Sequence, residues 1–363
     1  MRRKRLSCAI VFFILFLCFF SDLSGSTHSI VFIHLGKAVP SCIFTTMQQA
    51  RYLNQDSDIY LLSDETAYQI FQSNHQEFLD QENIHLIGTH HIPMSDEHIK
   101  FYEVNKIEPS LMDGYWMYAS ERFFVLYDFM KLKNLINVIH LESDSMLYVE
   151  VSELIPLFEK CNSQLAAPFQ SLKGCIPCFV FIKNKESLHF LLDHIISEMR
   201  NFKGLNPHLL LNDMQTLASF YVKFGSDFLT PLPTLMPEYS RNYAKRRSSF
   251  MADNATSLSF LSLYADEFSG YIFDAAGLGI FINGNDGRFS PNHGPGTIHS
   301  RSLFNPGFFS FFWGKDRKER TVPYLSFKGS QYRIANLHFH SKKPEEYSSF
   351  RKPLGKLPVR KNS

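Results

Sequence analysis

Charge is scarce in this sequence: Asp, Glu, Lys and Arg make up 20% of its 363 residues. Tryptophan occurs twice and cysteine six times. After Phe20 no apolar run as long as the N-terminal one returns, so nothing in the body reads as a membrane span. No internal repeat is visible, and no linker of the kind that separates independent domains interrupts the chain. The Cys-x-x-Cys at Cys175-Ile176-Pro177-Cys178 has no second copy, which leaves a zinc site short of ligands. In an oxidising compartment it could form a local disulfide or, less readily, a redox pair. It runs straight into Phe179-Val180-Phe181-Ile182, a strand pattern, whereas a thioredoxin-like site needs a helix N-terminus there.

What the sequence has is apolar and aromatic. Hydrophobic residues reach 45%, and 36 Phe with 16 Tyr bring the aromatic share to 15%, which excludes an intrinsically disordered chain. The length suits one large domain or two ordinary ones. The net charge of +2 is unevenly spread. Arg2, Arg3, Lys4 and Arg5 open the chain, and seven Lys and Arg from Lys342 onward close it, so residues 6–341 carry a net −7. A nucleic-acid-binding body would have the opposite sign.

The basic start precedes an apolar run from Leu6 to Phe20 and then Ser21-Asp22-Leu23-Ser24-Gly25-Ser26, the layout of a secretory leader. The run is shorter than the ~20 residues that span a bilayer comfortably, so residues 1–26 are expected to be a cleaved signal peptide or a signal anchor. Either way the rest of the chain faces a non-cytoplasmic space, secreted, periplasmic or lumenal, with the membrane touched only through this segment. Asn254-Ala255-Thr256 is a glycosylation sequon, meaningful only in a eukaryotic secretory host. Residues 343–363, basic and interrupted by Pro344, Pro353 and Pro358, read as a flexible solvated tail.

Between these ends strands and helices alternate. Ile30–Leu35, Asp58–Leu62, Ile84–Ile87, Val138–Leu141, Leu165–Ala167 and Phe179–Ile182 have strand character. Pro40–Leu53, an amphipathic Tyr115–Lys133, Lys185–Met199 and Asn212–Phe224 have helical spacing. The pattern predicts an α/β fold with a mostly parallel sheet covered by helices over residues 27–225. Residues 226–342 are richer in Gly, Pro and Asn and are expected to form an irregular second part of the same domain, with strands at Val322–Phe327 and Gln331–His340.

Chemistry concentrates at two places. Val138–Leu141 ends in Glu142-Ser143-Asp144, two carboxylates at i and i+2 where a buried strand runs out. Such a pair can converge on one hard cation and leave oxygen positions free for a phosphate, and open α/β sheets bind ligands at strand ends. Solvated loop acids are the plain alternative. Near the other end, Asn336-Leu337-His338-Phe339-His340-Ser341-Lys342 alternates as a strand, so His338 and His340 share a face, and the lysine follows. Imidazole beside carboxylates suits manganese-type ions, and lysine holds phosphate as a point charge. A surface strand with two solvated histidines is the competing reading.

With the helix residues Ser120-Glu121-Arg122-Phe123-Phe124, these stretches resemble glycosyltransferases of the GT-A fold. The resemblance is nearest to a bacterial and viral group with an Asp-x-Asp motif, a Phe-Asp-Ala-Ala-x-x-Gly stretch and a terminal Asn-Leu-His-x-His-Ser-Lys; here these are Phe273–Gly279 and Asn336–Lys342. It covers most of residues 28–350 and implies a nucleotide-sugar-binding core followed by an acceptor-handling part. By it, Asp144 would bind Mn²⁺ or Mg²⁺ directly and Glu142 would contact the metal or the donor ribose. His338 or His340 would complete the metal shell, Lys342 would hold the diphosphate, and Arg122 would face the donor sugar or phosphates. Ser143, Gly36 and Asp64 would line the donor pocket. Asp213, which otherwise reads as a helix N-cap, resembles the Asp that contacts acceptor hydroxyls in glycogenin-like transferases, with Asp274 a weaker rival for that catalytic role. The chain departs from the group in having Glu142 for the first Asp and in the stretch Ile280–Gly287.

These readings together predict a metal-dependent glycosyltransferase that takes a nucleotide sugar, a UDP-sugar in the first instance, to a glycan or protein acceptor, with no nucleic-acid partner. A GT-A-like nucleotide or carbohydrate binder without turnover, suggested by Glu142, and a metal-dependent phosphodiesterase, disfavoured by the acidic body, are the alternatives. Nucleotide sugars are normally cytosolic, so an exported enzyme fits a Golgi-like lumen or a host-directed effector best.

Overall fold

A computed structural model describes residues 28–107, 111–203, 212–243, 258–285, 294–298, 302–351 and 355–356. The expected leader at 1–26 and the sequon at 254–256 lie outside these residues. Strands β1 (Ser29–His34), β2 (Asp58–Ser63), β3 (Ile84–Gly88) and β4 (Val138–Leu141) form a parallel half-sheet in the order β3-β2-β1-β4. After β5 (Ser145–Leu147), antiparallel β6 (Leu165–Ser171), β7 (Gly174–Cys175) and β8 (Phe179–Ile182) extend it as β8-β6-β7. A further strand, β9 (Leu229–Leu232), pairs parallel with β6. The result is the expected mixed α/β core.

The continuous apolar runs of the central strands are explained by burial on both faces. Along β1, Ile30 and Phe32 enter one apolar cluster, while Val31 and Ile33 enter the other. Helices α1 (Cys42–Leu53), α2 (Glu65–Asn74) and α3 (Gln76–Gln81) contribute to the first cluster. On the second side lie α4 (Asp96–Val104) and α5 (Tyr115–Lys133). After α6 (Val151–Lys160), helices α7 (Lys185–Asn201) and α8 (Asp213–Phe224) join that same side.

Helix α5 has the expected bounds but a different character. Every residue from Ser120 to Met130 is buried, because α4, α7 and α8 all pack on it. An all-round buried helix carries no single apolar stripe, so the amphipathic reading fails for its central turns.

The C-terminal part adds α9 (Pro237–Tyr243), β10 (Tyr271–Ile272), α10 (Gly277–Asn283), β11 (Ser310–Lys315), β12 (Thr321–Phe327), β13 (Ser330–Ile334), β14 (Asn336–His338) and β15 (Gly355–Lys356). Five of these strands form a second sheet in the order β10-β13-β12-β11-β15. The strand expected at Gln331–His340 is two strands in two sheets. At Ala335 the chain leaves the second sheet: the Ala335 N–H still donates to Ile272 O at 2.8 Å, and its carbonyl accepts from Tyr148 N at 2.8 Å. From Asn336 the backbone pairs antiparallel with β5 instead.

The tail also differs from the flexible segment expected from residue 343. Tyr347 is fully buried, its carbonyl accepts from Tyr148 Oη at 2.8 Å, and its ring stacks on Phe339. The Gln49 amide donates to Ser349 Oγ at 2.9 Å. One aromatic and two hydrogen-bonding partners outweigh the basic, proline-rich composition over Pro344–Arg351. The Cys-x-x-Cys forms no disulfide: Cys42, Cys161, Cys175 and Cys178 are free thiols, and Cys175 and Cys178 are both buried.

Candidate functional site

Strand β4 ends in a tight turn. The Ser145 N–H donates to Glu142 O at 3.0 Å, and the Thr46 hydroxyl on α1 donates to Ser143 O at 2.9 Å. This turns the two acids onto the same side and sends the chain into β5. The β5–β14 register then sets His338 opposite Ser145, and the Phe339 N–H donates to Asp144 O at 2.9 Å. His338 Nε2 lies 3.1 Å from Glu142 Oε2 and 3.2 Å from Asp144 Oδ2. One ligand atom from each of Glu142, Asp144 and His338 falls within 4.8 Å of the others. Two carboxylate oxygens and an imidazole nitrogen are a donor set that suits Mn²⁺, and the carboxylates alone suit Mg²⁺.

The Phe273–Gly279 stretch builds the wall behind this cluster. Asp274 is 1% exposed, and its carboxylate accepts from Leu278 N at 2.9 Å, Gly279 N at 2.8 Å and His338 N at 3.0 Å. It therefore clamps the first turn of α10 to β14. Asn336 adds to the clamp by accepting from Asp274 N at 3.1 Å. A methyl group on Gly279 would overlap the His338 carbonyl oxygen, so only glycine permits this approach. With both oxygens engaged by backbone donors, Asp274 acts as a structural staple here.

Three further groups surround the acids. Arg122 on α5 is bracketed between Glu142 and Asp213, donating one terminal nitrogen to each. Both terminal nitrogens thus face protein carboxylates, and Arg122 sets the spacing between β4 and α8. Lys342 Nζ pairs with Asp144. Burial alone would raise the Glu142 and Asp144 pKa values, but the charges of Arg122 and Lys342, together with His338, outweigh it and hold both well below the usual carboxylate range. Burial alone would lower His338, yet Asp144 pushes it well above its ordinary value. Asp213 behaves differently. Its burial outweighs Arg122 and raises its carboxyl to about 6.

The N-cap of α8 is Asn212, whose side chain accepts from Gln215 N at 2.9 Å, so the cap role read for Asp213 belongs to its neighbour. Asp213 is the first helical residue, 6% exposed, with Oδ1 accepting from Met214 N at 2.8 Å and Oδ2 from Arg122.

The remaining sequence candidates fall nearby. His340 packs its ring 4.3 Å from that of His338 but lies outside the three-ligand group, and burial with the His338 charge drives its pKa down to about 3. Gly36 and Asp64 meet at the ends of β1 and β2. Asp64 Oδ2 accepts from Gly36 N, while Oδ1 caps α2 by accepting from Ala67 N at 2.9 Å. Gly36 has φ +114°. Ser143 offers its backbone carbonyl to Thr46.

Tyr115 escaped the sequence reading. The residue is half exposed, and partial burial, with the charges of Glu142 and Asp213, raises its pKa to about 12. The spacing of seven residues to Arg122, two helical turns on one face, was the available signal.

No family model matches the chain, and no curated protein does. Among solved structures it is similar to the PaToxG glycosyltransferase, at 10% identity over 68% of this chain and 86% of that one, with a TM-score of 0.42. Mouse xyloside xylosyltransferase 1 gives 10% identity over 60% and 91%, TM-score 0.40. The glycosyltransferase GlyE of Streptococcus pneumoniae gives 19% over 61% and 51%, TM-score 0.36. Likeness at this level assigns no function, so the reading below is built on the site's own residues.

Proposed function

We propose that the chain is a metal-dependent glycosyltransferase that moves a sugar from a nucleotide-sugar donor, a UDP-sugar in the first instance, to a glycan or protein acceptor. The observation that carries the reading is the convergence of Glu142, Asp144 and His338 beside the Lys342 ammonium. Glu142, Asp144 and His338 would hold Mn²⁺ or Mg²⁺, which as a Lewis acid offsets charge on a departing diphosphate. Lys342 supplies a fixed positive charge to the same phosphates. Arg122 holds Glu142 and Asp213 in register. Asp213, ionised above about pH 6, orients the acceptor hydroxyl and takes its proton. The buried staple of Asp274 keeps β14, and with it His338, against β5. The proposed setting is a non-cytoplasmic compartment reached through residues 1–26.

The test is release of nucleoside diphosphate from UDP-, GDP- and CMP-sugars (CMP for the last), with and without Mn²⁺. Metal-stimulated release that disappears in Asp144→Ala supports the enzyme. Binding without turnover for any donor identifies a nucleotide-sugar binder, the reading that Glu142 in place of Asp would favour. Cleavage of plain phosphodiesters without sugar transfer would move the assignment to a phosphodiesterase.

A further inference from the structure

One group beside the site carries a hydrogen-bond donor that none of the described residues accepts. Helix α5 starts at Tyr115 after Gly114, whose φ of +83° turns the chain into the helix, and Tyr118 one turn on packs over both Gly114 and Gly36. Tyr115, Tyr118 and Arg122 therefore share the face that looks toward the strand ends. Tyr115 opens that face, and its side chain is 50% exposed, against 8% for Arg122 two turns deeper. Among the described residues no hydrogen bond engages its hydroxyl.

The charges around that hydroxyl define what it can hold. Glu142, Asp213 and Asp144 act on it, and so does the cation Lys342. It acts in turn on both Arg122 and Lys342. Two turns further along the same face, Arg122 bridges Glu142 and Asp213, and an un-ionised phenol on that face is a donor at any physiological pH. Its ring edge meets Trp116, centroids 5.0 Å apart, which restricts its swing.

Resting on the glycosyltransferase reading, we propose that Tyr115 is a positioning residue whose hydroxyl donates to a diphosphate oxygen of the donor, at the solvent-facing side of the site between Lys342 and Arg122. A phenol adds one directional hydrogen bond without adding charge. It thus orients a diphosphate that lysine attracts without direction.

Trp116 gives a readout that needs no turnover. The other tryptophan, Trp313, is 3% exposed and packs edge-on against Tyr148, so it forms a constant background. Mn²⁺ with UDP, and separately with GDP, is titrated into the full chain while tryptophan emission is followed. We expect a saturable change for the wild type and a Kd raised about five- to tenfold in Tyr115→Phe, the size of one lost hydrogen bond. Tyr115→Phe keeps the ring, so its thermal midpoint should match the wild type. Donor turnover in the variant should fall with the acceptor KM unchanged. A wild-type response that Tyr115→Phe matches within about twofold overturns the Tyr115 assignment alone. A wild type that responds to neither nucleotide overturns it together with the reading on which it rests.

Discussion

His338 Nε2 lies 3.2 Å from Asp144 Oδ2, although 194 positions separate the two residues in the chain. The contact is made by backbone first: β14 pairs with β5, and the Phe339 N–H donates to Asp144 O. The clustering of Glu142, Asp144 and His338 is thus a consequence of one short antiparallel pairing, and disturbing that pairing should disturb the proposed chemistry.

Asp144→Asn keeps the shape of the side chain and removes its charge. It deprives Lys342 and His338 of their buried counter-ion and the proposed cation site of a ligand. Metal-stimulated turnover should fall by about 10³-fold, the equivalent of several kcal/mol of charge stabilisation. Nucleotide release measured across a Mn²⁺ series checks it, and a fall of less than about tenfold would exclude Asp144 as a direct ligand.

Gly279→Ala places a methyl group where the His338 carbonyl oxygen stands. Either α10 or β14 must shift, at a cost of about 3 kcal/mol. Urea unfolding should show that loss. Mn²⁺ affinity should weaken in parallel, because β14 carries His338, and unchanged affinity would mean that α10 alone had moved.

The α4–α5 interface supplies a pH dependence away from the site. His98 is buried, with Nδ1 2.7 Å from Asp128 Oδ2 and Nε2 3.8 Å from Glu121 Oε1, and its ring stacks on Tyr102, whose hydroxyl donates to Glu121. Burial alone would lower its pKa, but Asp128 and Glu121 outweigh that and hold it above the ordinary 6.5. The contribution of the charged ring is then complete below about pH 6.5 and fades as pH rises through the folded value. The stability gap between wild type and His98→Gln should be widest below that pH and narrow above it. A gap that stays constant from about pH 5.5 to about pH 9 would contradict a protonated His98.

Tyr347→Ala tests the packed tail. Truncating a fully buried tyrosine stacked on Phe339 should cost about 3–5 kcal/mol, read as a lower denaturation midpoint. A solvated tail would show no change.

Much of the α/β core was legible because its cause is local. Apolar runs at Ile30–Leu35 and Val138–Leu141 mark strands buried on both faces, and α5 spans the expected Tyr115–Lys133. The amphipathic reading of α5 failed because three packing helices, absent from any local window, decide what its outer faces touch. Asp274 looked like a candidate base since acids in motifs draw attention. Only the contacts reveal that three backbone N–H groups occupy it.

Residue order and chemistry alone determined the sheet's parallel half, the acidic pair at a strand end, and the histidines and lysine near the C-terminus. The tertiary structure decided that these belong to one site, that His338 and not His340 joins the acids, and that Asn212 caps α8 while Asp213 faces Arg122. The physical reason is one of range. Strand and helix periodicity are written in neighbouring residues, whereas the β5–β14 register depends on Ala335 leaving one sheet for another.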